Sequence, residues 1–262
     1  IDKQINSVVS YLFVFILNKQ HVYMKLIITG ILVAILATSC FWLGNEKIKG
    51  NGVFTTEVRS AGATKKIKIA GNISAEITQG TANAVEVKAD ANLLSYIKTE
   101  NEDGWLVVST KKGYDLRSNN PITIAVTTEV LEAVTIAGNG DVKSLNKLEG
   151  GNQLKIKIAG NGDVNLSVNT PKVEATIAGN GNIVLEGETK DASINIAGNG
   201  DYKAQNLKTE NAKVKIAGVG NVYVFASNTL DINIAGSGDV HYLGNPTISK
   251  KIAGSGTVKA IQ

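Results

Sequence analysis

The heptapeptide Ile-Ala-Gly-Asn-Gly-Asp-Val begins at Ile136 and again at Ile158, and close variants begin at Ile177, Ile196, Ile216, Ile234 and Ile252. The starts are 22, 19, 19, 20, 18 and 18 residues apart. A fixed period near twenty marks a stacked solenoid, because a unit this short cannot bury its apolar face alone and must lay it against neighbouring copies.

The flanks of each Gly-x-Gly identify the kind of solenoid. Leu154 to Ile158 and Asp163 to Val168 alternate apolar and polar residues, the period of a half-buried strand. Each repeat therefore reads as strand, tight glycine corner, strand and a second, looser turn, as at Asn146 to Asn152, Asn169 to Lys172 and Gly187 to Lys190. Successive coils then pair in parallel, about 4.8 Å apart. An antiparallel meander is the competing reading, but hairpins have no need for the same corner every twenty residues.

At the corner, Gly138, Gly160, Gly179, Gly198, Gly218, Gly236 and Gly254 form one column, and Gly140, Gly162, Gly181, Gly200, Gly220, Gly238 and Gly256 another. Glycine suits positive φ, so both columns are expected there. Between them stand Asn139, Asn161, Asn180, Asn199, Val219, Ser237 and Ser255. A stacked Asn column can hydrogen-bond along the stack. Val219, being β-branched, tolerates positive φ badly, so negative φ is expected at the middle position.

Upstream, Lys66-Ile-Lys-Ile-Ala-Gly-Asn-Ile73 reads as a worn first corner. Strand-like runs follow at Ala84 to Ala89, Trp105 to Thr110 and Pro121 to Val126, separated by turn signals such as Glu102-Asp-Gly104. Residues 53–130 are expected as an N-terminal β half that continues the body with longer loops, and 131–262 as the repeat solenoid. A separate N-terminal β unit is the alternative.

Met24-Lys25 followed by the apolar run Leu26 to Ala37 has the form of a secretory signal, too short to span a bilayer. Ala37-Thr-Ser-Cys40 resembles a lipobox, although Ala37 stands where Leu is usual. Cys40 has no second cysteine to pair with, so it is expected to carry lipid and anchor the protein to a membrane. Residues 1–39 are expected to be upstream read-through plus lipoprotein signal peptide, and 40–52 a lipid-anchored tether.

The net charge of +4 falls by two when Lys3, Lys19, Lys25 and Asp2 are removed, and there are just two Arg, Arg59 and Arg117. No dense basic patch or Arg fork points to nucleic acid.

Together, the Ile-x-Gly-x-Gly-Asp-Val series and the stretches Glu76 to Gly80, Val85 to Asn92 and Asp103 to Val107 resemble the head GIN domain family, also called putative auto-transporter adhesins. The resemblance runs from about Val53 to the end. It implies an exported or lipid-anchored envelope protein whose fold is similar to right-handed β-helices such as pectin lyases, a role in adhesion, and no recognised catalytic residue. The expected fold is thus all-β, a right-handed parallel β-helix (β-solenoid) with stacked Gly-x-Gly corners.

After Cys40 the chain holds one His, His241. An acidic column follows the corners: Asp141, Asp163, Asn182, Asp201, Asn221, Asp239 and Thr257. It reads either as a solvated polar row or as a calcium ladder, and calcium repeats need the acid at both corners of a coil. No catalytic residue, metal or cofactor is expected. Counting parity past the corner puts Tyr223, Phe225, His241, Leu243 and Ile261 outside on one face, and Val222, Val224, Val240, Tyr242 and Val258 inside. An outward apolar cluster means contact, and Tyr and His suit sugar rings. The alternatives at this face are a cap and self-association. The expectation is a non-enzymatic, lipid-anchored outer-membrane protein for adhesion or surface interaction. Its expected partners are a host or surface glycan or protein, or a second copy. The rival readings are an inward-facing envelope scaffold and a polysaccharide-active β-helix enzyme.

Overall fold

The computed structural model describes residues 45–60 and 62–262; the expected signal peptide and Cys40 lie outside the described residues. The chain is a β-solenoid of about twenty residues per coil. Strands before the corner stack in parallel on one another, so that Lys155 to Ile158 lie over Ala133 to Ile136, and Val173 to Ile177 over Leu154 to Ile158. Strands after the corner form a second stack, with Val164 on Val142 and Ile183 on Val164. Alternation then decides burial. Ile156, Ile158, Val164, Leu166 and Val168 are buried, as are most of their counterparts in the middle coils, and they fill one continuous core.

The second bend is tighter than the sequence suggests. Val164–Ile177, Ile183–Gly198 and Tyr202–Gly218 each pass through it as one paired strand. Thr170, Thr189 and Thr209 stack inward at this bend and are buried. Gly187, at φ 110°, lets the chain lie on Val168, whose carbonyl oxygen a Cβ would meet at 2.1 Å. Looser connections occur elsewhere, around Asn146 and in the last coils near Ser227 and Gly244.

The first corner is the one at Gly71. Ala133 to Gly138 pair in register with Lys66 to Gly71, and Val142 to Ser144 with Ala75 to Ile77. Trp105–Thr110 and Thr123–Thr128 then stack on the other side of this same coil, with Trp105 beside Lys66 and Thr123 beside Ser74. The chain thus adds one rung below its first coil before it climbs upward from Ala133.

Below that rung, pairing turns antiparallel. Ile97–Glu102 lines Trp105–Thr110, Val85–Asp90 lines Thr123–Thr128, and Phe54–Arg59 lines Val85–Asp90. Arg59 closes this end, its guanidinium donating to the carbonyls of Ile97 (2.6 Å) and Leu94 (2.8 Å). Such polar ends keep a solenoid from continuing. Gly50 N donates to Arg117 O at 2.7 Å, and Asn92 ties to Lys49 and Asn51, so residues 49–51 lie docked on the body.

Candidate functional site

The corners carry the most regular chemistry in the chain. The first glycine of each Gly-x-Gly corner from Gly138 to Gly254 has φ between 137° and 154°, a region that favours glycine, while the middle residues, Val219 included, do not have positive φ. The second glycine column departs from expectation: its members do not have positive φ either. These glycines are needed for space. A Cβ on Gly200 would meet Gly181 O at 2.0 Å and Ile177 Cγ2 at 2.8 Å.

Close approach sets up two ladders. Asn161 donates its side-chain amide to Asn139, Asn180 to Asn161 and Asn199 to Asn180, and Asn139 donates to Asn72, all at 2.8–3.1 Å. Val219 ends this ladder. The second ladder is the acidic column. Asp141 Oδ1 accepts the backbone N–H of Asp163 (2.9 Å), Asp163 that of Asn182 (2.7 Å), Asp201 that of Asn221 (2.9 Å) and Asp239 that of Thr257 (2.7 Å). Each side chain thereby satisfies a corner donor that no strand partner reaches. The Thr257 hydroxyl and N–H hold the Asp239 carboxyl below the usual range, with smaller help from His241 and Lys259. One oxygen of each of these carboxylates thus caps the next coil.

Burial follows parity along Val222–Phe225 and becomes weaker in the coils after it. Val222, Val224 and Val240 are buried, and Tyr242 and Val258 are half-buried against the core. Tyr223, Phe225, His241, Leu243 and Ile261 are half-exposed on the opposite parity. Tyr223 stands beside His241 and Phe225 beside Leu243. The Tyr223 and His241 rings stack with centroids 4.7 Å apart and planes 14° apart. Each ring spends one face on the other, which leaves less flat surface for a sugar than the residue types suggest. Lys208 Nζ sits 4.3 Å from the Phe225 ring centre, a cation–π contact that covers Phe225 in turn.

A larger concavity lies on the other stack, near the N-terminal end. It is a groove of about 900 Å³ floored by Ala133, Thr135 and Ala137. One row of outward side chains runs Trp105, Lys66, Ala133, Lys155, Glu174, and the next runs Val107, Lys68, Thr135, Lys157, Thr176. The small residues of one coil sit between lysines on either side, and that makes the hollow. Lys66 Nζ lies 6.0 Å from the Trp105 ring centre. Glu174 is held by Lys172 and Lys155, which keep its carboxyl below the usual range. Among the described residues Lys66, Lys68 and Lys157 form no ion pair. Sequence reasoning missed this groove because Trp105 and Lys155 become neighbours of one hollow only through the rung added below the first coil. The exposed-side parity of Trp105 was the available signal.

These features define a β-solenoid whose corners are held by backbone and side-chain ladders and whose outward sheet faces carry lysines, aromatics and a groove. The family described as "Putative auto-transporter adhesin, head GIN domain" matches residues 64–246, and the chain belongs to that family. The crystal structure of a putative adhesin from Bacteroides fragilis is similar at a TM-score of 0.76 and 27% identity, over 82% of this chain and 100% of that one. A protein from Parabacteroides distasonis described as a putative lipid binding protein is similar at 0.67 and 28%, over 83% and 100%. A putative adhesin from the same species has a TM-score of 0.66 at 23% identity, over 82% and 100%. No curated protein matches the chain.

Proposed function

We propose that this chain is a non-enzymatic, lipid-anchored protein of the cell envelope that mediates adhesion or surface contact through the outer faces of its solenoid. The observation that carries this reading is the division of labour among the polar residues. The Asp and Asn columns, the best candidates for chemistry, are committed to backbone and side-chain ladders. The faces away from the corners carry lysines, aromatics and a groove. Membership of a family named for adhesion supports the same reading, and Cys40 supplies the anchor.

Adhesion is tested by expressing the full chain in a bacterium that lacks it and measuring cell attachment to immobilised glycans and to host-cell matrix. Protease shaving of intact cells reports orientation. A protein protected from protease on intact cells, with attachment unchanged by its expression, would overturn the adhesin reading and favour an inward-facing scaffold. Cys40→Ser is expected to move the protein from the membrane to the soluble fraction; retention in the membrane would refute the lipid anchor.

A further inference from the structure

We infer that the groove centred on Ala133 and Thr135 is a binding site for a linear anionic glycan, one carrying carboxylate or sulfate groups, laid along the solenoid axis. This names the ligand class for the adhesion reading and rests on it.

Three features converge there. The first is shape. The five strands carrying Trp105, Lys66, Ala133, Lys155 and Glu174 lie side by side, so the row spans about 19 Å at the usual strand spacing. That spacing is comparable with the rise of one sugar in an extended chain, so consecutive sugars meet consecutive rungs. Ala133 is buried and Thr135 half-buried, so the hollow is floored by short side chains set between the longer lysines.

The second is charge. Lys68 and Lys157 both neighbour Thr135 in register, one on each side. They are two strand spacings apart, about 10 Å between backbones, and neither ammonium group is paired with an acid among the described residues. Two flexible lysines across a hydroxyl-bearing floor suit a single anionic substituent between them. Four acids line the groove; of these Glu174 pairs with two lysines and Glu132 with Lys65. Glu102, the last residue of the strand Ile97–Glu102, and Asp103, in the turn that follows, stand at the Trp105 end.

The third is the ring. Trp105 is half-exposed at one end of the row, with Lys66 beside it. An indole offers an apolar face to the C–H side of a sugar, and its neighbours Lys66 and Glu102 can bond the hydroxyls around the ring's edge. The Tyr223–His241 pair lacks this arrangement, because its rings face each other.

The test uses the full chain with Trp42→Phe, which leaves Trp105 as the sole tryptophan. Oligogalacturonate, a heparin-derived oligosaccharide and neutral maltohexaose are titrated while Trp105 emission and, independently, calorimetric heat are followed. At least one of the two anionic probes is expected to bind and shift Trp105 emission, and the stronger of them reports carboxylate or sulfate. Maltohexaose is expected to bind at least about tenfold more weakly. Affinity for the anionic probe is expected to fall as salt rises, through screening of the lysines. Lys68→Gln with Lys157→Gln is expected to weaken that binding about tenfold or more with melting temperature unchanged, and Trp105→Ala to weaken it likewise by calorimetry. Trp105→Phe, which keeps a ring, is expected to lie between. Equal affinity for maltohexaose would overturn the anionic assignment. No binding of either anionic probe, or binding that survives all the groove variants, would overturn the site. Cell attachment that persists in the groove variants would leave the adhesion reading standing and remove only this site.

Discussion

A Cβ on Gly200 would stand 2.0 Å from the carbonyl oxygen of Gly181, the equivalent glycine one coil earlier. That atom is backbone and is fixed by the stack, so it cannot move aside as a side chain could. Gly200→Ala is therefore expected to force neighbouring coils apart and to destabilise by more than about 3 kcal/mol, beyond the ordinary range for one substitution. Gly104 is the control. It has φ 78° with open space around its Cβ position, so Gly104→Ala incurs only the backbone cost of about 1–2 kcal/mol. Equal losses in the two denaturant melts would refute the close-approach account of the second column.

Val219 interrupts the Asn ladder that Asn72 begins, and it is 51% exposed. Its backbone N–H already donates to Gly198 O at 3.1 Å, as the Asn corners do, so the backbone is in place for an amide. Val219→Asn is expected to donate to Asn199 Oδ1 and stabilise by about 0.5–1.5 kcal/mol. For a body of this size that raises Tm by about 1–6 °C. An unchanged or lower Tm would mean that the ladder follows from the stack and does not support it.

Acid should act through a few carboxylates. The Asn120 amide and the Ser118 hydroxyl, each at 2.7 Å, hold the buried Asp90 carboxyl below its usual range, with the Gly52 backbone helping. Lys143 first, and Lys88, do the same for Glu76, as Thr257 does for Asp239. A carboxylate whose folded pKa is depressed adds stability that is complete above its unfolded pKa, about 3.9 for Asp and 4.3 for Glu. That stability is lost as pH falls through the lower folded value. Tm is thus expected to be flat from pH 7 to about 5 and to drop below about 4. Asp90→Asn should lower Tm at pH 7 and make the acid limb shallower; a limb of unchanged steepness would remove Asp90 from this account.

What could be read from the residues was whatever repeats. Period, parity and the asparagine column are local patterns, and alternation such as Leu154 to Ile158 fixes which side chains enter the core. The purpose of Gly200 was not legible, because positive φ and close approach select the same residue. The second bend escaped too. Thr170, Thr189 and Thr209 look like turn residues until stacking makes them an inward column. Least legible was the groove, since Trp105 and Ala133 share a face only through the rung placed below the first coil.

The last prediction separates the inside of the final coils from the outside. Val224 and Val240 are buried, while Phe225 and Leu243 are half-exposed on the opposite parity. Val224→Ser with Val240→Ser buries two hydroxyls that have no strand partner and leaves space where methyl groups packed, at a cost of about 2–4 kcal/mol for each site. The end coils are expected to unfold first, because the coil beyond them, Thr247–Gly254 with Val258–Ala260, is itself largely exposed. Phe225→Ser with Leu243→Ser removes surface that water already reaches, along with the contact between Phe225 and Lys208. Its expected cost is about 1–2 kcal/mol in total, of which the cation–π contact accounts for about 0.5–1. Thermal melts rank the two pairs, and sedimentation shows whether the outer pair also weakens self-association, which is expected if this face meets a second copy. Equal destabilisation by both pairs would mean that Phe225 and Leu243 support the fold as much as the core does. A loss confined to stability, with sedimentation and cell attachment unchanged, would leave the face a cap for the last coils and remove it as a contact surface.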